Sequence, residues 1–111
     1  ELQLLHSRFP ENIRCFVAKN REGVLIAGAI LFIYPHVIHT QYLASNDEGR
    51  YIGALDLLIS ELMQKYKDTH TYLDFGISTE DMGRILNTGL IAQKEGFGAR
   101  TAIYHTWTIK I

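Results

Sequence analysis

One cysteine, two prolines and almost no net charge set the first limits on this 111-residue chain. With a single thiol, Cys15, no internal disulfide can form. That usage suits a reducing compartment and gives the expectation of a cytoplasmic protein. So few prolines, together with 47% apolar and 21% charged residues, describe an ordinary globular chain rather than a disordered one. A formal charge of -1 offers no broad attraction for nucleic acid or an anionic membrane, so an anion must be held locally and nucleic acid is disfavoured as a partner. Long apolar runs are missing as well. The longest, Val24 to Tyr34, is too short to span a bilayer and reads as a buried strand. Glu1 to Pro10 holds no basic segment followed by an apolar one.

The length fits one domain, residues 1–111, with one core. Leu2, Leu4 and Leu5 suit the end of a helix that starts outside the chain, and the chain is expected to be a piece of a longer protein. Ile13 to Asn20 reads as a strand, Asn20-Arg21-Glu22-Gly23 as a hairpin turn with Gly23 at positive φ, and Val24 to Tyr34 as the returning strand. Gly28 is the expected bulge or close approach. Val37 to Ala44 continues as a third strand, and Ser45 to Arg50 as a polar loop.

From Tyr51 the period changes, and Ile52, Leu55, Ile59, Leu62, Met63 and Tyr66 form one stripe of a helix over Tyr51 to Tyr66. Burial of that stripe outweighs the ~1 kcal/mol cost of Gly53 in a helix interior. Thr71 to Ile77 is a strand entered from this helix, so it should lie parallel to Val37–Ala44 with a right-handed crossover. Ser78 can cap a helical turn, Ile85 to Glu95 reads as a second helix with Gly96 at its C′ position, and Ala99 to Ile111 alternates as a closing strand. The predicted class is a mixed α/β (α+β) sheet, ordered β-β-β-α-β-α-β, with the helices packed on the sheet.

Lys94-Glu95-Gly96-Phe97 matches the K-x-G-F that ends a motif of the GNAT acyltransferase superfamily, and the element order resembles that family. Asp74-Phe75-Gly76 followed by Lys94-Glu95-Gly96-Phe97-Gly98 looks more specifically like its Fem-type branch of peptidyltransferases, which carries D-F-G and F-K-x-G-F-G. The resemblance covers about Ile13 to Ile111 and implies that the N-terminal part of the family fold is missing. It implies transfer of an acyl group from acetyl-CoA or another acyl-CoA to an amine on a small molecule or peptide. An aminoacyl-tRNA-dependent peptidyltransferase is the alternative, and a non-catalytic domain that dimerises through an exposed strand edge is a third reading.

Several residues are candidates for such a site. Splaying of the parallel strands would free main-chain groups of Tyr42, Leu43 and Ala44 for an acyl-pantetheine arm and for the oxyanion. The family's pyrophosphate loop would fall on Gly49, Arg50, Tyr51, Ile52, Gly53 and Ala54, where Ala54 alone agrees with the pattern. The helix starting near Arg50 would aim its N–H groups at phosphates. Asp74, a carboxylate between Leu73 and Phe75, suits a general base or else shapes the turn that follows. By the resemblance, Asp47 and Glu48 lie where a base of the family can sit, although a polar loop is expected to contain acids. Lys94 can neutralise a phosphate or an oxyanion, or simply favour a helix C-terminus. Glu80, Arg84 and Asn87 are the candidates for acceptor contact. His36 and His39 should face opposite ways, so they do not form a metal pair.

Overall fold

The computed structural model describes residues 2–103 and 107–110, and the chain divides into two compact units, Glu1–Ile77 and Ser78–Ile111. The first unit opens with a short helix, α1 (Leu2–Arg8), and three antiparallel strands, β1 (Ile13–Lys19), β2 (Leu25–Ile33) and β3 (Val37–Ser45). The β1–β2 turn forms as its residues require. Gly23 has a φ of 82°, and Asn20 Oδ1 accepts from the N–H groups of Glu22 and Val24 at 3.0 and 2.9 Å. Two helices follow, α2 (Asp47–Ile52) and α3 (Ala54–Tyr66). The strand β4 (Tyr72–Asp74) then returns parallel to β3, giving the sheet order β1-β2-β3-β4.

An edge-on contact between Phe16 and Tyr66, ring centroids 6.4 Å apart, identifies the sheet face that α3 covers. Residues paired across neighbouring strands share a face, so Ala29, Leu43, Leu31, Thr40, Ile33 and Ile38 lie on the same side as Phe16. Ala29, Leu31, Ile38 and Thr40 are buried there, as are Leu58, Ile59 and Leu62 of α3. Each of the larger aliphatic side chains contributes roughly 1.5–3 kcal/mol by leaving water. This layer is the core of the first unit.

The single helix expected over Tyr51 to Tyr66 is two helices, and the polar loop before it is already helical from Asp47. Gly53 is the joint: at φ 74° and ψ 34° it is left-handed, its N–H closes α2 on the Gly49 carbonyl, and α3 begins at the next residue. A glycine takes that conformation at little cost where other residues resist it. The break also re-phases the buried stripe. Ala54 and Leu58 join Ile59 and Leu62 in the core, while Ile52 and Met63 are exposed. Gly28 does not form the expected bulge, since it pairs in register with Val17 and Ala44. Register slips instead between Ala18 and Lys19 and between Ile30 and Leu31, the second leaving Gln41 as an extra residue on β3.

The second unit holds a small hairpin, β5 (Thr79–Glu80) with β6 (Ile85–Leu86), and the helix α4 (Thr88–Gly96). The hairpin replaces the helical turn expected after Ser78, whose carbonyl accepts from the Asn87 N–H at 2.8 Å. Asn87 Oδ1 accepts from the Leu90 N–H at 3.0 Å, so the helix expected from Ile85 starts at Thr88. Gly96 is its last helical residue rather than a left-handed C′ residue; the left-handed position is Gly98, with φ 94°. Residues 99–103 and 107–110 adopt no regular secondary structure, and Ile103, Trp107 and Ile109 are largely exposed, so their alternation is not matched by a buried face. The remainder of the expected final strand, Tyr104 to Thr106 and Ile111, lies outside the described residues. Among the described residues, no helix is long and apolar enough to cross a membrane.

Candidate active site

The parallel ladder is short. It pairs Val37 with Tyr72, Ile38 with Leu73 and His39 with Asp74, and there it stops while β3 runs on to Ser45. Two local features part the strands. Beyond β4 the chain turns at Gly76, whose φ is 79° and whose N–H donates to Asp74 Oδ1 at 2.8 Å, an arrangement that aspartate side chains favour in turns. On the other side, the extra residue Gln41 bends β3 and tightens its twist. From 41 to 44, the main-chain groups of β3 that point away from β2 have no ladder partner among the described residues. Tyr42, Leu43 and Ala44, the candidates for thioester and oxyanion contact, lie on this stretch, opposite Ile30, Ala29 and Gly28 of β2.

At the fork itself stands a pair that sequence reasoning missed. His39 Nδ1 lies 3.0 Å from Asp74 Oδ2, and His39 Nε2 lies 3.1 Å from Gln41 Oε1. Both residues are part-exposed, with 26% and 32% of their side-chain surface accessible, so the couple opens to water without being fully solvated. Thr40 Oγ1 donates to the Asp74 carbonyl at 3.2 Å, which ties the last paired residue of β4 to β3. Phe32 of β2 sits beside the imidazole with ring centroids 6.4 Å apart. Phe32 pairs with His39 and His39 with Asp74, so the three share the sheet face opposite α3. The signal in the sequence was the strand–helix–strand unit, which makes β3 and β4 neighbours. Which residue of β3 meets Asp74 depends on register, and no local pattern encodes it.

The expected phosphate cradle is built otherwise. Asn46 caps α2, its Oδ1 accepting from the Gly49 N–H at 2.8 Å, and the Arg50 N–H goes to the Asn46 carbonyl at 2.9 Å. Asp47 and Glu48 occupy the first turn, where two acids oppose an anion at the helix start. Arg50, itself exposed, directs its guanidinium to the Ser45 carbonyl at 3.0 Å and to Asp47. A Cβ added to Gly49 would sit 2.1 Å from the Ile26 carbonyl oxygen, so this glycine lets α2 lie against β2. Gly53 is the helix joint and Ala54 is buried in the core. The fork therefore fits the acyl-pantetheine end of a thioester, and the helix start does not fit a diphosphate.

Glu48 is exposed and accepts from Asn20 Nδ2 at 3.1 Å, a link to the β1–β2 turn. It follows the far end of β3, roughly 17–20 Å along the strand from the Asp74 register at ~3.3 Å per residue, so the two carboxylates do not converge. Lys94, Glu80, Arg84 and Asn87 belong to the second unit. There Asn87 Nδ2 donates to Glu80 Oε1 at 3.0 Å, and Lys94 stands in the last turn of α4, a favourable place for a cation. Arg84 closes the hairpin turn through its N–H to the Asp81 carbonyl at 3.1 Å.

This mixed α+β fold, with a mostly antiparallel sheet and helices, is shared by solved structures of acetyltransferases. A Trypanosoma brucei acetyltransferase superposes with a TM-score of 0.68 at 17% identity, covering 99% of this chain and 77% of that one. The ribosomal-protein-alanine N-acetyltransferase of Brucella melitensis biovar Abortus 2308 gives 0.64 at 19% identity, covering 98% and 76%. A GNAT family acetyltransferase from Elizabethkingia anophelis, solved with acetyl-CoA bound, gives 0.63 at 16% identity, covering 91% of this chain and 63% of that one. At these identities the likeness concerns the fold. The model of the acetyltransferase (GNAT) domain matches residues 2–82, and the chain belongs to that family. The matched residues end before Lys94-Glu95-Gly96-Phe97-Gly98, so they carry the family and not its Fem-type branch. No curated protein matches the chain.

Proposed function

We propose that this domain is an N-acyltransferase that moves an acyl group from acyl-CoA to the amine of a small molecule or peptide. The observation that carries the reading is the end of the parallel ladder at His39 and Asp74 while β3 continues to Ser45. An extended strand with unpaired outward N–H groups can hold a pantetheine arm by main-chain hydrogen bonds and can aim one N–H at the tetrahedral oxyanion. Family membership supports the reaction class. Lys94, for an anionic group of the donor, and Glu80, Arg84 and Asn87, for the acceptor, are proposed separately, all within the second unit.

Calorimetric titration of acetyl-CoA and longer acyl-CoAs tests the reading, followed by turnover on an alanine-terminated peptide, a lysine peptide and an aminoglycoside. Donor binding is expected to be weak, because the start of α2 presents acids where phosphates would lie, and to weaken further in Lys94→Ala. Full affinity in Lys94→Ala removes that lysine from the site; no binding and no turnover in the wild type ends the acyl-CoA proposal.

The same acidic helix start favours a second reading in which the donor carries no CoA diphosphate. A Fem-like peptidyltransferase using an aminoacyl ester is such an enzyme, and the motif Lys94-Glu95-Gly96-Phe97-Gly98 is consistent with it. Binding of aminoacyl-tRNA that falls steeply with salt supports this reading over acyl-CoA. In the non-catalytic reading the outer edge of β1 pairs with a second copy, which sedimentation of the whole chain detects.

A further inference from the structure

The Asp74 carboxylate is engaged on both oxygens. Oδ1 accepts from the Gly76 N–H at 2.8 Å, and Oδ2 faces His39 Nδ1 at 3.0 Å. An ionised carboxylate only accepts hydrogen bonds, so the proton of a neutral His39 ring is held on Nδ1, and Nε2 is left as the basic nitrogen. That nitrogen points to the more exposed side of the couple, toward the Gln41 carboxamide at 3.1 Å. Gln41 suits either protonation state of the ring. Its oxygen accepts from a protonated Nε2, and rotated by half a turn its NH2 donates to an unprotonated one.

The ring is held on its remaining sides. Cε1 lies 3.4 Å from where a Cβ on Gly76 would be, so a glycine at this turn leaves room for it, and Phe32 flanks the ring from β2. Among the described residues the charged group facing the imidazole is Asp74 on β4, while Phe32 from β2, Gln41 on β3 and Gly76 bring no charge. His39 also stands at the last paired register, where the free stretch of β3 begins. A base belongs beside the reacting carbonyl, and this imidazole stands at the fork with an accepting nitrogen that, among the described residues, no main-chain group engages.

We propose that His39 is the general base of the acyl transfer and that Asp74 is the positioning residue that fixes its ring. This rests on the acyltransferase reading above and reassigns the proton acceptor within it. The amine lone pair attacks the thioester carbonyl carbon, forming the C–N bond while the π pair moves to oxygen. The nitrogen then loses a proton to Nε2, and the imidazolium is balanced by Asp74. Collapse of the oxyanion reforms C=O and breaks C–S, and the thiolate leaves and takes up the proton that His39 releases. Substrates and products differ by one amide and one free thiol, so atoms and charge balance.

Two measurements on the whole chain test this. Nitrogen-15 NMR of the imidazoles needs no substrate. Neutral His39 is expected to carry its proton on Nδ1, and Asp74→Asn is expected to lose that preference while Asp74→Glu retains part of it. A neutral ring protonated on Nε2 overturns the proposal. The second is turnover of acetyl-CoA with the amines named above. His39→Gln should lower kcat/KM by about 100-fold or more, the usual worth of a general base, and flatten the acid limb of the pH profile, with acetyl-CoA affinity within about twofold of wild type. A His39→Gln variant that keeps the wild-type rate and pH profile overturns the role of His39 and leaves the acyltransferase reading standing. A wild type that acylates none of the amines removes both.

Discussion

The two faces of the four-stranded sheet were made for different purposes. On the side of α3, Ala29, Leu31, Ile38 and Thr40 are buried under Leu58, Ile59 and Leu62. On the other side, Val17, Tyr42 and Tyr72 are exposed, and the His39–Asp74 couple stands among them half-open to water. A strand alternates its side chains, so one stretch of β3 serves both needs: Ile38 and Thr40 anchor the strand to the core, and His39 between them is aimed at the fork. The half-open couple thus stands on a strand whose other side is anchored in the core.

That contrast can be broken by substitution. Leu31→Ala, at a side chain with 0% exposure, should cost about 2–5 kcal/mol of stability. Tyr42→Ala, 57% exposed on the other face, should stay within about 0.5 kcal/mol. Urea unfolding of both variants reads the difference, and equal costs would erase the distinction between the faces. A smaller effect is expected at the edge of the packed side. Gly49→Ala must push α2 away from the Ile26 carbonyl, at about 1–3 kcal/mol by the usual cost of overpacking; a neutral result would mean that α2 rests less closely on β2 than the geometry requires.

The smallest effect concerns alkali. Burial raises the Tyr66 phenol above its ordinary 10.0, with Arg14 pulling the other way. A raised folded-state value means that the stability contributed by the neutral phenol is complete below pH 10 and falls as pH rises through the folded value. Tyr66→Phe should therefore lose less stability than the wild type between neutral pH and the range above pH 10. Denaturant midpoints at the two conditions measure it, and identical losses would place Tyr66 outside the packed layer.

Much of the first unit was legible because its signals are local or periodic. The Asn20–Gly23 turn, the alternation of the strands and the switch of period at Tyr51 each name an element, and a strand–helix–strand order implies the parallel pair. What escaped depends on geometry between distant segments. Nothing near Gly53 distinguishes a tolerated helix glycine from a left-handed joint between two helices. Asp74 was readable as a carboxylate in an apolar strand. His39 was not readable as its partner, since 35 residues separate them in the chain and the strand register brings them to 3.0 Å. In the second unit the signals were weaker still. Gly96 and Gly98 lie two residues apart, and their order of duty is decided by where Asn87 starts the helix.

Counting in twos along β3 puts His39 and Tyr42 on opposite sides, because they are an odd number of residues apart. The unpaired residue between Ile30 and Leu31's partners changes the parity: Tyr42 meets Ile30 and His39 meets Phe32, and those two share a side of β2. One supernumerary amino acid thus gathers an imidazole and a phenol onto a common surface while Leu43 stays turned toward the helix. Were Gln41 paired in register like its neighbours, Tyr42 would turn to the other side and that surface would scatter, so the register of β3 is as much a part of the arrangement as its composition.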